Sequence, residues 1–380
     1  MRHYGLDWLR IGAFLLLIVY HVGLYLSPWE WHVNAVPPDE WVVYILFALN
    51  PWRMTLLFVV SGYASRAMLG RSSGWAGFAK ARSKRLLIPL LFGVCVLVVP
   101  QPWVEARIKA GYPHGYLWFW LHQYFNFDDA DGIDTPALDH LWFVAYIWVY
   151  SMIVAIGAWL VSAESAKRMQ ASAERWLSGW RLLVLPIAWI LIWRLLVVRG
   201  EMPTNRVLTD YPGHPLYLSA FLFGFALARS EALWPAILRW RRAAAAIAVL
   251  AYCAILWDHA HYPGLGLSVR LRTELGLVWP VLAQWSAVVA LLGFAQVHLN
   301  RDHRWRATLT EAVFPVYLLH QTVIVLVGWW ILAIPMGSAA RIGIMLSSTC
   351  AACWGFYLVG RAIPWFRPLI GLGPRAGARA

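Results

Sequence analysis

The chain has 380 residues, 61% of them hydrophobic and 13% charged, with a formal net charge of +13. A soluble chain of this length carries about 25% charged residues, so the composition excludes a disordered protein, a coiled coil and a surface reader of nucleic acid. It fits an all-α polytopic membrane protein whose apolar surface faces lipid and whose backbone polar groups pair inside helices.

Apolar stretches near the roughly 20-residue length that crosses a bilayer predict about ten transmembrane helices. They fall near 9–27, 41–64, 86–102, 140–161, 182–198, 214–228, 243–257, 275–296, 311–333 and 341–360, and no tandem repeat divides residues 1–380, which read as a single domain. The first ends at Ser27-Pro28 with no small-residue cleavage site and is expected to be retained rather than removed as a signal peptide. Within it Arg10 and His21 are eleven residues apart. That spacing is three turns plus about 20°, so both project from one face, about 16 Å apart along the axis.

The second helix contains Asn50-Pro51-Trp52-Arg53, with Arg53 near mid-bilayer. Arginine cannot discharge itself by losing a proton, so it requires a structural partner, an anionic ligand or a water-filled space. Pro51 breaks the helical ladder beside it. Ser61 and Tyr63 follow toward the end of the same helix. The run Arg82-Ser83-Lys84-Arg85 opens the third helix, either as a topology anchor or as a phosphate-binding patch. The aromatic segment Tyr112–Phe127 is broken by Pro113 and Gly115 and is expected to lie along the outer surface or to cap a cavity.

Asp139-His140 and His214 begin the fourth and sixth helices, where a substrate from outside would arrive and where a lone histidine is also commonly just hydrated. The ninth helix carries Tyr317-Leu318-Leu319-His320-Gln321. His21, Arg53 and His320 thus fall at comparable depths on three helices. Ionisable groups at such depth are costly, so a polar central cavity is expected.

The basic residues orient the bundle. With the N-terminus inside, cytoplasmic segments hold 23 of the 32 Lys and Arg, and external segments hold 8. The gap after the third helix concentrates Glu105, Asp128, Asp129, Asp131, Asp134 and Asp139. This positive-inside pattern places both termini in the cytoplasm and accounts for the net charge without a nucleic-acid partner. Many of the 26 tryptophans sit near span ends as an interfacial belt. The cysteines (Cys95, Cys253, Cys350 and Cys353) have no His or acidic cluster beside them, so they read as small packing residues and no metal site is expected.

Leu6-Asp7-Trp8-Leu9-Arg10 followed ten residues later by His21 resembles the acyltransferase 3 family of integral membrane enzymes, whose hallmark is a basic residue, ten residues and a histidine on the first helix. Leu57-Phe58-Val59-Val60-Ser61-Gly62-Tyr63, the Arg82–Arg85 run, His140-Leu141-Trp142-Phe143 and Tyr317-Leu318-Leu319-His320 match in family order over nearly the whole chain. Pro51-Trp52-Arg53-Met54 and Arg85-Leu86-Leu87-Ile88-Pro89-Leu90 look like the branch containing glucans biosynthesis protein C.

The resemblance implies an acyltransferase of a bacterial inner membrane. It would move an acyl group, succinyl in that branch, from cytoplasmic acyl-CoA to hydroxyls of a periplasmic glucan or related carbohydrate. No permanently bound cofactor is implied; acyl-CoA is a co-substrate. No extracytoplasmic domain is expected after the tenth helix.

On this reading His21 acts as general base, or as a nucleophile through an acyl-histidine, with Arg10 and His320 completing the catalytic set. Arg82, Lys84 and Arg85, with Ser61 and Tyr63, hold the donor. Arg53 takes the free carboxylate of a succinyl group, and Asp139, His140, Trp142, His214 and Gln321 meet the acceptor. The rival reading is a transporter of an anionic or glycan-linked solute using the same buried cations, although no inverted repeat is evident. A third is a membrane sensor or assembly partner whose buried cations are paired internally.

Overall fold

The computed structural model describes residues 3–126, 129–130, 133–261 and 269–373. Its helices are α1 (Tyr4–Leu26), α2 (Val42–Leu49), α3 (Arg53–Leu69), α4 (Gly74–Phe92), α5 (Pro100–Lys109), α6 (Trp142–Leu160), α7 (Ala163–Trp176), α8 (Arg181–Ile192), α9 (His214–Leu227), α10 (Leu233–His261), α11 (Val269–His298), α12 (Arg306–Ile331) and α13 (Ser338–Ala362). Among the described residues, eight helical runs are long and apolar enough to cross a bilayer. A ninth is counted when Ala163–Trp176 and Arg181–Val197, bent by 98°, are taken as one span. His214–Leu227 is a shorter apolar helix, so each of the ten expected stretches has a helical counterpart.

Two expectations are corrected, and one helix is added. The third span does not open at 86 but forms one run from Gly74 to Lys109. The basic Arg82–Arg85 stretch therefore lies inside α4, with Arg82 buried and Lys84 and Arg85 exposed. The segment between the fourth and fifth spans is helical too. α7 is a polar surface helix whose first turn is capped by Ser162, its Oγ accepting from the Ser165 amide at 3.2 Å. Of the cysteines, all free, Cys353 is buried, Cys95 is partly buried, and Cys253 and Cys350 sit on helix surfaces rather than in packing. In the acidic gap, Asp129 pairs with Asp134 in a two-residue antiparallel ladder, while Asp128 and Asp131 lie outside the described residues, as do Arg2 and the last seven residues.

The chain divides into two compact units. The first comprises Met1–Ala13, Phe47–Lys80 and Val149–Arg306, the second Phe14–Leu46, Ala81–Trp148 and Ala307–Ala380. Within the first, α3 and α9 meet backbone to backbone. A Cβ on Gly62 would stand 1.8 Å from the Phe221 carbonyl oxygen, and one on Gly224 would stand 1.8 Å from that of Val59. Only glycine permits such an approach. At the start of α3, Pro51 interrupts the ladder as the sequence predicts, and the Trp52 indole donates to the freed Ala48 carbonyl at 2.7 Å.

Within the second unit, α4 passes into a π turn, Gly93–Leu97, before Pro100 begins α5. A π turn disturbs the i→i−4 ladder and leaves carbonyls in need of donors. Side chains supply them. Trp120 Nε1 donates to the Cys95 carbonyl at 2.9 Å, Tyr124 Oη to that of Val94 at 2.9 Å, and Thr322 Oγ1 to that of Leu97 at 2.7 Å. This explains the aromatic segment after α5: Tyr112, Phe119 and Tyr124 bury against Val99 and Ala106 rather than merely lying on a surface.

Candidate active site

Four histidines of the second unit gather where α1, α6 and α12 pack. His21 is 8% exposed and His320 1% exposed. Their rings are 5.0 Å apart, and His320 is 5.1 Å from His140. The bonding fixes the tautomers, because a carbonyl oxygen only accepts. His320 Nδ1–H donates to the Tyr317 carbonyl at 2.7 Å, so His320 Nε2 is the acceptor nitrogen. His21 Nδ1–H donates to the Leu17 carbonyl at 2.9 Å and is shared with His320 Nε2 at 3.2 Å. The lone pair of His21 therefore resides on Nε2, which is the arrangement a general base requires.

His140 enters on the short turn Asp139–Leu141 that leads into α6. Its Nε2–H donates to the Leu318 carbonyl at 3.2 Å, and the Tyr317 hydroxyl donates to the His140 carbonyl. That leaves His140 Nδ1 buried with its lone pair and no donor among the described residues, and Asp139 Oδ2 is in the same condition. Asp139 adopts φ 41°, a left-handed conformation that Asp tolerates better than most side chains.

The fourth histidine, His32, lies between α1 and α2 and anchors a polar chain. Its Nδ1–H donates to Glu105 at 2.5 Å, and its Nε2 is 3.8 Å from Asp139. Lys109 holds the other Glu105 oxygen at 2.8 Å and Glu30 at 2.9 Å. With His32 neutral, Gln321 Nε2 donates both to His32 Nε2 at 3.1 Å and to Gln101 Oε1 at 2.8 Å. Gln101 in turn donates to Thr322 at 2.8 Å, whose hydroxyl ends on the Leu97 carbonyl of the π turn. Protonating His32 makes Nε2 a donor, and both amides must then reverse.

Burial lowers the His32 pKa, but Asp139 and the hydrogen-bonded Glu105 outweigh it, so the net shift is upward. A raised folded pKa adds stability that is fully present below the unfolded value of about 6.5 and is lost as pH rises through the folded value. Thermal unfolding of the purified protein is therefore expected to show a stability loss above that range that disappears in His32→Asn. An unchanged pH profile in the variant would contradict the ion-paired assignment.

A family model described as an acyltransferase domain (Acyl_transf_3) matches residues 3–359. The chain belongs to the acyltransferase 3 family. Glucans biosynthesis protein C of Escherichia coli (strain SMS-3-5 / SECEC) is 26% identical over 343 residues, covering 87% of this chain and 84% of the relative. The protein of the same description from Shigella dysenteriae serotype 1 (strain Sd197) is 26% identical over 347 residues, with the same coverage. No solved structure matches.

In this membrane acyltransferase the second unit brings together His21, His320, His140, Asp139 and Gln321 from the residues singled out by sequence. Trp142 stands beside them at the start of α6, its ring 5.0 Å from Tyr146. Arg10, Arg53, Ser61, Tyr63 and His214 belong to the first unit. There the Ser61 carbonyl accepts from Ser65 at 2.8 Å, and Tyr63 meets the edge of His3 at 6.1 Å. Sequence reasoning missed His32, Gln101, Glu105 and Thr322. A signal existed: Gln101, Glu105 and Lys109 recur every four residues and share one face of α5.

Proposed function

We propose that this acyltransferase carries an acyl group from cytoplasmic acyl-CoA to a hydroxyl of an extracytoplasmic carbohydrate, with His21 Nε2 as general base. The observation that carries the reading is the tautomer of His21: two acceptors hold its Nδ1 proton, so Nε2 keeps the lone pair. As the hydroxyl oxygen attacks the thioester carbonyl, Nε2 takes its proton and the coenzyme A thiolate leaves. The imidazolium so formed then returns that proton to the thiolate. His320 acts through His21: its Nε2 accepts from His21 Nδ1–H, steadying the ring and stabilising the positive charge that develops on it.

The orphaned acceptors support a carbohydrate partner. Asp139 Oδ2 and His140 Nδ1 are buried lone pairs without donors among the described residues, and an unsatisfied buried acceptor costs about 1–3 kcal/mol. Hydroxyl groups of a sugar are donors of the right kind and size to meet both. On the donor side, Arg85 and Lys84 are exposed on α4 and suit the phosphates of coenzyme A, with Arg82 beneath them. Succinyl is the acyl group we favour, since the two relatives named above are described as glucans biosynthesis proteins and that branch resembles a succinyltransferase. The bacterial inner membrane is the corresponding location.

Purified protein given radiolabelled acyl-CoA and a glucan tests the reading. Label appearing on the glucan is the expected result. Retention of intact labelled solute with no transfer to any hydroxyl would favour a transporter instead.

A further inference from the structure

Five arginines are buried among the described residues: Arg82, Arg194, Arg306, Arg341 and Arg367. Three of them rest on oxygen. Arg306 reaches Asp7 at 2.8 Å and Asp302 at 2.7 Å. Arg341 donates to the Val36 and Pro37 carbonyls at 3.0 and 3.4 Å. Arg367 donates to the carbonyls of Gly373 and Arg361 at 2.7 and 3.0 Å.

Arg194 is different. It is 8% exposed, yet its Nη2 donates only to the sulfur of Met202 at 2.9 Å, and its Nε is buried with no acceptor among the described residues. A thioether is a weak acceptor, and a desolvated guanidinium without an anion is among the costliest groups a fold can hold.

The surroundings do not supply that anion. Arg194 lies in the π turn Trp193–Val197 that follows α8, and the chain returns past it at Asp210–His214, where Trp193 donates to the Pro212 carbonyl at 3.1 Å. Asp210 Oδ1 accepts the backbone amides of Thr204 and Gly213 at 2.8 and 3.1 Å, and no carboxylate forms an ion pair with Arg194 among the described residues. His214 Nε2–H donates to the Val207 carbonyl at 2.7 Å, so its Nδ1 accepts from the Tyr150 hydroxyl at 3.0 Å and is occupied.

We propose that Arg194 anchors a carboxylate-binding site within the first unit. The Nε edge and Nη2 of Arg194 present the bidentate fork that a carboxylate fits. Met202 sits against that fork, and at 61% exposure its side chain can swing away at small cost. Two substrates would bring a carboxylate: a donor whose acyl group is half of a dicarboxylic acid, which rests on the function proposed above, or an acceptor containing an acidic sugar.

Direct binding decides the matter without any acyl transfer, so its failure is separable from failure of the catalytic reading. Full-length protein in detergent is titrated with succinate, with glucuronate and with the neutral isostere succinamide, reading tryptophan fluorescence or heat. Wild type is expected to bind at least one of the two anions and not succinamide, and the preferred anion identifies the source. Arg194→Gln is expected to weaken that binding about 10- to 150-fold, the loss of a hydrogen bond to a charged group. Arg194→Lys, which keeps the charge and loses the fork, is expected to fall between and serves if the glutamine variant does not fold. Undiminished affinity in either variant, or no binding of either anion by wild type, overturns the site.

Discussion

His21→Ala is expected to reduce acyl transfer about 10²- to 10⁴-fold, the usual contribution of a positioned general base, while leaving the protein folded. The second half follows from the bonding. The Leu17 carbonyl that accepts from His21 Nδ1 is also the i−4 acceptor of the residue-21 amide, so removing the ring leaves no orphaned carbonyl, and the acceptor that loses its donor is His320 Nε2, at a cost of about 1–3 kcal/mol. His320→Ala is expected to cost less, because Leu17 still holds the Nδ1 proton, and to shift the pH at which the rate rises, because a neighbour that stabilises the imidazolium has gone. Monodisperse elution and an unchanged melting curve establish folding; labelled acyl-CoA and a glucan measure the rate. Robust turnover in His21→Ala would remove the base assignment altogether. Acid-quenched wild type carrying label on the protein would replace direct transfer with the acyl-histidine route.

Periodicity made the helices legible because a bilayer leaves the chain few options: stretches of about 20 apolar residues must pair their backbone internally. The two shortest stretches, at 182–198 and 214–228, became the bent pair and the short helix. What periodicity could not reveal is where a helix continues through polar sequence. α4 begins at Gly74, well before the apolar stretch at 86, so a run taken as the helix entrance is half buried within it. The histidine pairing was partly legible. The comparable depths of His21, Arg53 and His320 predicted a polar central cavity; of the three, His21 and His320 have ring nitrogens 3.2 Å apart in the second unit, while Arg53 belongs to the first.

Glu105 was legible only through the four-residue spacing of Gln101, Glu105 and Lys109 on α5, and His32 was not legible. His32 lies in the non-helical segment between α1 and α2, where no periodicity marks it, and its partner Glu105 is 73 residues further along the chain. The orphaned Arg194 was hidden for a related reason: it lies at the edge of a weak span, where arginine ordinarily snorkels to water.

Gly62→Val and Gly224→Val are each expected to abolish recovery of folded protein. The Ser61-Gly62-Tyr63 string invites a ligand-binding role, yet the geometry at Gly62 is a packing constraint. Its Cα faces the Phe221 carbonyl and Gly224 faces the Val59 carbonyl, so the two glycines, each three residues from the oxygen that its counterpart opposes, lock α3 to α9 reciprocally. At 1.8 Å an added Cβ would lie well inside the contact distance of a backbone oxygen. Backbone cannot rotate aside as a side chain does, so the helices must separate. Overpacking into flexible cores costs about 1–3 kcal/mol, and a clash with two rigid helices should exceed that, enough to unfold a marginally stable protein. Even alanine carries the offending atom, so Gly62→Ala and Gly224→Ala should already lower the melting temperature strongly. Gly12→Ala is the control: a Cβ at that position on α1 would meet nothing within 4 Å, and replacing a helical glycine there should be neutral or stabilise by about 0.5–1 kcal/mol. If Gly62→Ala and Gly12→Ala melt alike, the close approach of α3 and α9 is wrong.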